Sequence, residues 1–190
     1  MSARVSAILL ASGLSERMGF DKLSLPYKGK SLIQRAIDLL YELPVFEKIV
    51  VTTNKQRSMV DIPEGIDVVI NARPEVGQSE SLRLGVSAAS GDHYLFLVAD
   101  QPMLTVDCLL PLLECAIGGD GKIVYPVVDG MPCSPSIFPS CFRGELLALD
   151  GDTGGRAVRD AFPEACLAVE AVEPWRFADV DKYSDYQALN

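Results

Sequence analysis

A run of small and apolar residues, Val5-Ser6-Ala7-Ile8-Leu9-Leu10-Ala11, empties directly into Ser12-Gly13-Leu14-Ser15-Glu16-Arg17-Met18-Gly19-Phe20-Asp21-Lys22. Apolarity sustained over so short a stretch predicts a buried strand. The loop that follows carries two glycines, which let main chain approach a ligand, and two cations, Arg17 and Lys22. That combination suits a phosphate-rich ligand: arginine offers a rigid fork to phosphate oxygens and lysine a mobile point charge. The spacing is neither the dinucleotide GxGxxG fingerprint nor the P-loop GxxxxGK[ST]. Glu16 and Asp21 leave a second reading open, in which the cations pair on the surface and the glycines serve only the turn.

The alternation continues along the chain. Ser31 is placed to cap a helix whose Leu32, Ile33, Ala36, Ile37, Leu39 and Leu40 recur with helical spacing, and Pro44 closes that unit. Residues 48–53 and 68–70 predict two more strands, and 77–89 a helix. Residues 93–99 predict a buried strand that ends on Asp100-Gln101-Pro102, and Thr105 is placed to cap a helix stopped by Gly118-Gly119. Strands and helices alternating at crossover length predict an α/β domain with a largely parallel sheet, and a ligand outside the carboxyl ends of the strands. The 12–22 loop and Asp100 both follow strand ends, so they belong on that edge.

The second half is less regular. Residues 123–128 read as a strand interrupted by Pro126, expected at an edge or a bulge, followed by an Asp129-Gly130 turn and a return through Ser136-Ile137-Phe138. Residues 142–149 and 155–162 predict short helices and 165–169 a late strand. No repeat or linker breaks the chain, so residues 1–190 read as a single domain.

Charge and composition narrow the function classes. A net charge of −9 argues against a general nucleic-acid binder, which needs a basic surface, but not against a nucleotide held by a local basic loop and a divalent ion. Five cysteines without a CxxC pair, and a single histidine, argue against a zinc site and suit free thiols in a reducing compartment. The opening apolar run is too short to span a membrane and no cleavage pattern follows it, so the expected location is cytoplasmic, without membrane association.

Several residues could carry chemistry. Asp100, at the end of a strongly apolar strand, is either a helix cap or a ligand for a hard cation. Asp179 and Asp181 would share one side of an extended segment, or belong to a solvated acidic tail. Asn71, Gln78 and Ser79 could read a base edge or ribose, and could equally cap strands and helices. Gly151-Asp152-Thr153-Gly154-Gly155-Arg156 is a second glycine-rich turn, suited to an anion or to a tight connection. His93, Trp175 and Phe177 read as packing groups. No serine or cysteine has a convincing base partner, which argues against covalent acyl chemistry.

These segments, in this order, resemble the MobA-like NTP transferase family, and within it most closely the MocA-like molybdenum cofactor cytidylyltransferase branch. The family opens on a segment similar to LxAAGxSxRMGxxKxLLPxxGxxL, matched here from Leu10 to Pro26 and by Gly29-Lys30-Ser31-Leu32. The match continues through Asn71, Gly77-Gln78-Ser79, Ser81-Leu82, Gly85, Asp100-Gln101-Pro102, the 151–156 turn and Asp179-Val180-Asp181. The resemblance implies a three-layer α/β/α, Rossmann-like, mostly parallel sheet of the nucleotide-diphospho-sugar transferase type. It implies transfer of CMP from CTP to molybdopterin-bound molybdenum cofactor, with pyrophosphate released. Nucleotide binding would fall to Leu10, Ala11, Ser12, Gly13, Arg17, Lys22, Asn71, Gln78 and Ser79. Arg17, Lys22 and Asp100 would be catalytic, and Asp100 and Asp181 would hold Mg²⁺. A molybdoenzyme or accessory protein is an implied partner.

The chain departs from the pattern in three places. Ser12 stands where the family has alanine or glycine. Cys133-Ser134 replaces the Gly-His of relatives' Pro-Gly-His-Pro, and Lys182-Tyr183-Ser184-Asp185 follows Asp181 in place of a Thr-Pro-Glu-Asp ending. Alternatives of the same fold are a guanylyltransferase and a sugar- or alcohol-phosphate nucleotidyltransferase. Another alternative is a non-catalytic molybdenum cofactor accessory protein.

Overall fold

The computed structural model describes residues 3–13, 21–119 and 121–189. In chain order the elements are β1 (Val5–Ala11), β2 (Pro26–Tyr27), β3 (Lys30–Ser31), α1 (Leu32–Glu42), β4 (Glu47–Thr52), α2 (Asn54–Arg57), β5 (Asp67–Ile70), α3 (Gln78–Ala88) and β6 (His93–Val98). There follow α4 (Val106–Gly118), β7 (Ile123–Val128), β8 (Met131–Pro132), β9 (Ser136–Pro139), α5 (Arg143–Leu147), α6 (Gly155–Ala161), β10 (Cys166–Glu170) and α7 (Tyr183–Ala188).

The main sheet runs β10-β7-β9-β6-β1-β4-β5, with β8 attached to β7. β1 pairs in parallel with both β4 and β6, setting Leu10 beside Val51 and Val98. The chain leaves β1 in one direction through α1 to β4 and β5, then returns through α3 to β6 on the other side. The strand order therefore reverses at β1, and the crevice outside the carboxyl ends of β1 and β6 is where this architecture takes a ligand. β9 is the antiparallel member between β6 and β7.

Alternation along β1 divides the core. Ala7, Leu9 and Ala11 face a cluster built with Ile33, Ile37 and Leu40 of α1 and Leu109, Leu112 and Leu113 of α4. Ile8 faces the opposite cluster, with Leu82 and Val86 of α3, Leu146 of α5 and Val158 of α6. A strand buried on both faces explains the continuous apolarity of residues 5–11. The result is a three-layer α/β/α, Rossmann-like fold.

Gly85 sets how closely α3 lies on the sheet. A Cβ there would stand 2.4 Å from Ile8 Cγ2 and 3.3 Å from Val51 Cγ2. Alanine in a helix interior gains about 1 kcal/mol over glycine, but overpacking a core costs about 1–3 kcal/mol. With a contact this short, overpacking decides the sign. Gly85→Ala is expected to lower the denaturant midpoint, and adding Ile8→Leu, which lacks the Cγ2 methyl, should recover part of the loss; an unchanged midpoint would contradict the close approach.

Two local expectations are corrected. Pro126 does not mark an edge: β7 lies between β10 and β9, and the outermost strands are β10 and β5. The N–H and C=O of one residue point to the same side of a strand, and the Pro126 carbonyl accepts from Cys133 N at 3.0 Å. The missing N–H thus faces the Cys133 turn, beyond the one β7–β9 pair, Val124 with Ile137, and costs no bond to β10. Thr105 precedes α4 but makes no side-chain cap bond; its hydroxyl lies 3.2 Å from Cys108 Sγ. Ser31 does cap α1, accepting from Gln34 N at 3.3 Å.

Candidate active site

A cavity of about 520 Å³ opens at the strand-order reversal. Leu10, Ser12 and Gly13 line it from the exit of β1, and Val98, Ala99 and Asp100 from the exit of β6. Residues 74–78 and Ser81 bring the start of α3 to the same space, and Lys22 and Asp181 close the far end.

The charged end is organised by one cation. Lys22 Nζ lies 2.7 Å from Asp100 Oδ2, donates to the Val180 carbonyl at 2.9 Å and stands 3.6 Å from Asp181 Oδ1. Lys22 begins a 3-10 turn capped by Asp21, whose carboxylate accepts from Leu23 N. Val180 N donates to the Asp100 carbonyl at 2.9 Å, and the Val180 side chain is buried against Tyr27 and Leu32. Asp185, which matches the last residue of the family ending, accepts from the N–H groups of both Asp181 and Lys182 and so fixes the backbone at Asp181.

The second oxygen of Asp100, Oδ1, is buried and has no hydrogen-bond partner among the described residues. A buried carboxylate oxygen left without a donor is costly, and a hard cation relieves it. The described residues contain no cluster of three or more metal-ligating side chains. Magnesium is commonly held by one or two carboxylates, with water and substrate phosphates completing the shell. Asp100 and Asp181 are the residues here that could hold it.

Asp179 lies beside this pair. Partial burial, then the charges of Asp100 and Asp181, push its carboxyl up to about 6. The folded protein therefore holds this proton more tightly than the unfolded chain does. Its contribution to stability is full below the ordinary carboxylate range and is lost as pH rises through about 6. Asp179→Asn removes that loss, so the variant is expected to melt higher than wild type at pH 7.5 and level with it near pH 4. Equal melting temperatures at pH 7.5 would contradict the shift.

Neutral groups build the other end. Ser12 Oγ and Ser81 Oγ lie 2.5 Å apart, and Asn71 Nδ2 donates to both, at 3.2 and 3.1 Å. Asn71 Oδ1 accepts from Arg73 N at 2.8 Å, which fixes the amide orientation. The 150–155 loop closes over the start of α3: Ser79 Oγ donates to the Gly151 carbonyl at 2.7 Å, and Gln78 N to Asp152 Oδ1 at 3.4 Å. Gly77 has φ +108°, and a Cβ there would stand 2.6 Å from Gly151 O, so both conformation and space require glycine.

The structure thus brings Leu10, Ser12, Gly13, Lys22, Gln78, Asp100 and Asp181 to one cavity. Ala11, Asn71 and Ser79 are buried outside its lining: Ala11 faces the core, Asn71 holds the two serines and Ser79 anchors the 151 loop. Arg17 falls within 14–20, outside the described residues. Sequence reasoning assigns no site role to Ser81 or residues 74–76, and Asp152 of the second glycine-rich turn also reaches the lining. Ser81 follows Gln78 by three positions, and that helical spacing is a usable signal. Residues 74–76 have no local signature.

Residues 7–166 match the MobA-like NTP transferase domain. The chain belongs to that family. A probable molybdenum cofactor guanylyltransferase of Natranaerobius thermophilus is 27% identical over 133 residues, covering 68% of this chain and 63% of that protein. The chain spans only 50% of another such relative. The purine catabolism protein PucB of Bacillus subtilis is 29% identical, covering 96% of this chain and 94% of PucB. Among solved structures, Rv0371c of Mycobacterium tuberculosis superposes with a TM-score of 0.81 at 22% identity, covering 100% of this chain and 98% of that one, which speaks to the fold.

These relatives correct the branch. The resemblance to cytidylyltransferases, with CTP as nucleotide and CMP as the group transferred, gives way to relatives named molybdenum cofactor guanylyltransferase. The physical reason is that the opening motif supplies a glycine turn and cations, which suit the phosphates common to every nucleotide and carry no information on the base. Among the described residues no helix is long and apolar enough to cross a membrane.

Proposed function

We propose that this MobA-like protein is a nucleotidyltransferase that moves GMP from GTP to a phosphate of a molybdopterin-type acceptor, releasing pyrophosphate. The observation that carries the reading is the polarity of the cavity. The Lys22 cation and the unpartnered Asp100 oxygen stand at one end, and a neutral hydroxyl and amide cluster stands at the other. A nucleoside triphosphate has the same polarity. The choice of guanine is supported by the names of the relatives.

An acceptor phosphate oxygen attacks the α-phosphorus, the bond from α-phosphorus to the bridging oxygen breaks, and pyrophosphate leaves. The acceptor brings its own nucleophile, so the protein's work is orientation and charge compensation. Lys22, held by Asp100, Asp181 and the Val180 carbonyl, presents its charge to the triphosphate. Gly13, at which an added Cβ would meet none of the described residues within 4 Å, lets main chain lie against it. Magnesium, when held by Asp100 and Asp181, supplies further neutralisation of phosphate charge.

The test is Mg²⁺-dependent pyrophosphate release from GTP, CTP, ATP and UTP, each with and without molybdenum-loaded molybdopterin. Release from GTP only with that acceptor supports the reading. Saturable GTP binding without release would overturn transfer and favour an accessory role.

A further inference from the structure

The two buried hydroxyls at the neutral end contain one hydrogen more than the protein uses. Asn71 Oδ1 is taken by Arg73 N, so Asn71 Nδ2 faces the serines and donates toward both Oγ atoms. One serine hydroxyl then donates to the other across 2.5 Å. The second hydroxyl accepts, and among the described residues its own hydrogen meets no acceptor. Ser12 is 2% exposed and Ser81 6% exposed, yet both line the cavity. A buried hydroxyl donor without an acceptor is costly, and here the acceptor can only enter from the cavity.

We infer that the Ser12–Ser81 pair is a base-reading element that donates one hydrogen bond to the O6 carbonyl of a 6-oxopurine. The inference rests on the proposed guanylyl transfer and deepens it. Guanine presents an acceptor at position 6, whereas adenine presents an amino group, a donor that would face a donor. A site built to bond one such group rejects the analogue that lacks it by leaving its own buried group unpaired.

The hydrogen count makes an unusual requirement. Removing either serine alone leaves one hydroxyl, still held by Asn71 and now free to donate from nearly the same place. Only the double replacement removes the donor. The experiment compares GTP with 2-aminopurine riboside triphosphate, which keeps the 2-amino group and lacks O6, and with ITP, which keeps O6 and lacks that amine. Competition binding is measured on wild type, Ser12→Ala, Ser81→Ala and the double variant.

Wild type should prefer GTP over the 2-aminopurine nucleotide by roughly 10- to 100-fold, the scale of one well-placed hydrogen bond whose loss leaves buried groups unpaired. Each single variant should keep most of that ratio, and the double variant should lose it. ITP should follow GTP throughout. Because each ratio is taken within one variant, a general loss of folding or affinity cancels. A ratio that falls in equal steps, or survives in the double variant, would overturn the inference while leaving guanylyl transfer standing. Failure of wild type to bind GTP at all would overturn the proposed function first, and the inference with it.

Discussion

Asp100→Asn is expected to lower the turnover of GTP by about 10²–10³-fold, the scale reported for removing one aimed electrostatic group from an active site. Asparagine has the same shape, so the backbone bond from Val180 N to the Asp100 carbonyl survives and the melting temperature should move little. The change is electrostatic. It takes the charge from the partner of Lys22 and from Oδ1, the buried oxygen that lacks a donor. The variant should also need more Mg²⁺ to reach its residual rate. Wild-type turnover at ordinary Mg²⁺ would remove Asp100 from the metal and phosphate end of the site.

Lys22→Met should have an effect of similar size on rate, about 10²-fold or more, but the opposite effect on the metal. Lys22 lies against Asp100 and Asp181 at 2.7 and 3.6 Å, so it competes with a cation for the same carboxylates. Methionine keeps most of the apolar stem and removes the charge. Mg²⁺ should bind the nucleotide-free variant more tightly than wild type, while turnover falls because the triphosphate loses its fixed cation. Calorimetric Mg²⁺ titration and steady-state kinetics on one preparation separate the two effects. Unchanged kcat and KM for GTP would show that Lys22 only stabilises the carboxylate cluster.

Much of the fold was legible because of one physical fact. β1, β4 and β6 are covered on both sides, so each shows as a continuous apolar run, and runs alternating with helical periods leave few arrangements. Pro126 misled because the rule for proline in strands concerns which side the absent N–H faces, and this depends on pairing that the sequence does not state. The site was legible where strand ends place chemistry: Lys22, Asp100 and Asp181 converge because the exits of β1 and β6 share an edge and residues 178–182 return to it. Asn71 and Ser79 show the limit. A polar residue after a strand or at a helix start looks alike whether it meets a ligand or satisfies the protein. Here Asn71 bonds two serines and Ser79 bonds the Gly151 loop. The base was the least legible feature: in the proposed reading it is met by a few side chains gathered from β1 and α3, which no contiguous motif announces.

The most direct test uses GTP labelled on either the α- or the γ-phosphate, with molybdenum-loaded molybdopterin as acceptor, and follows where each label goes. Guanylyl transfer requires the α-label in the acceptor product and the γ-label in pyrophosphate, in equal amounts and only when acceptor is present. The α-label remaining in GTP or ending in free GMP would contradict transfer to the acceptor, and the γ-label appearing on the acceptor would contradict attack at the α-phosphorus and with it the assigned roles of Lys22 and Asp100.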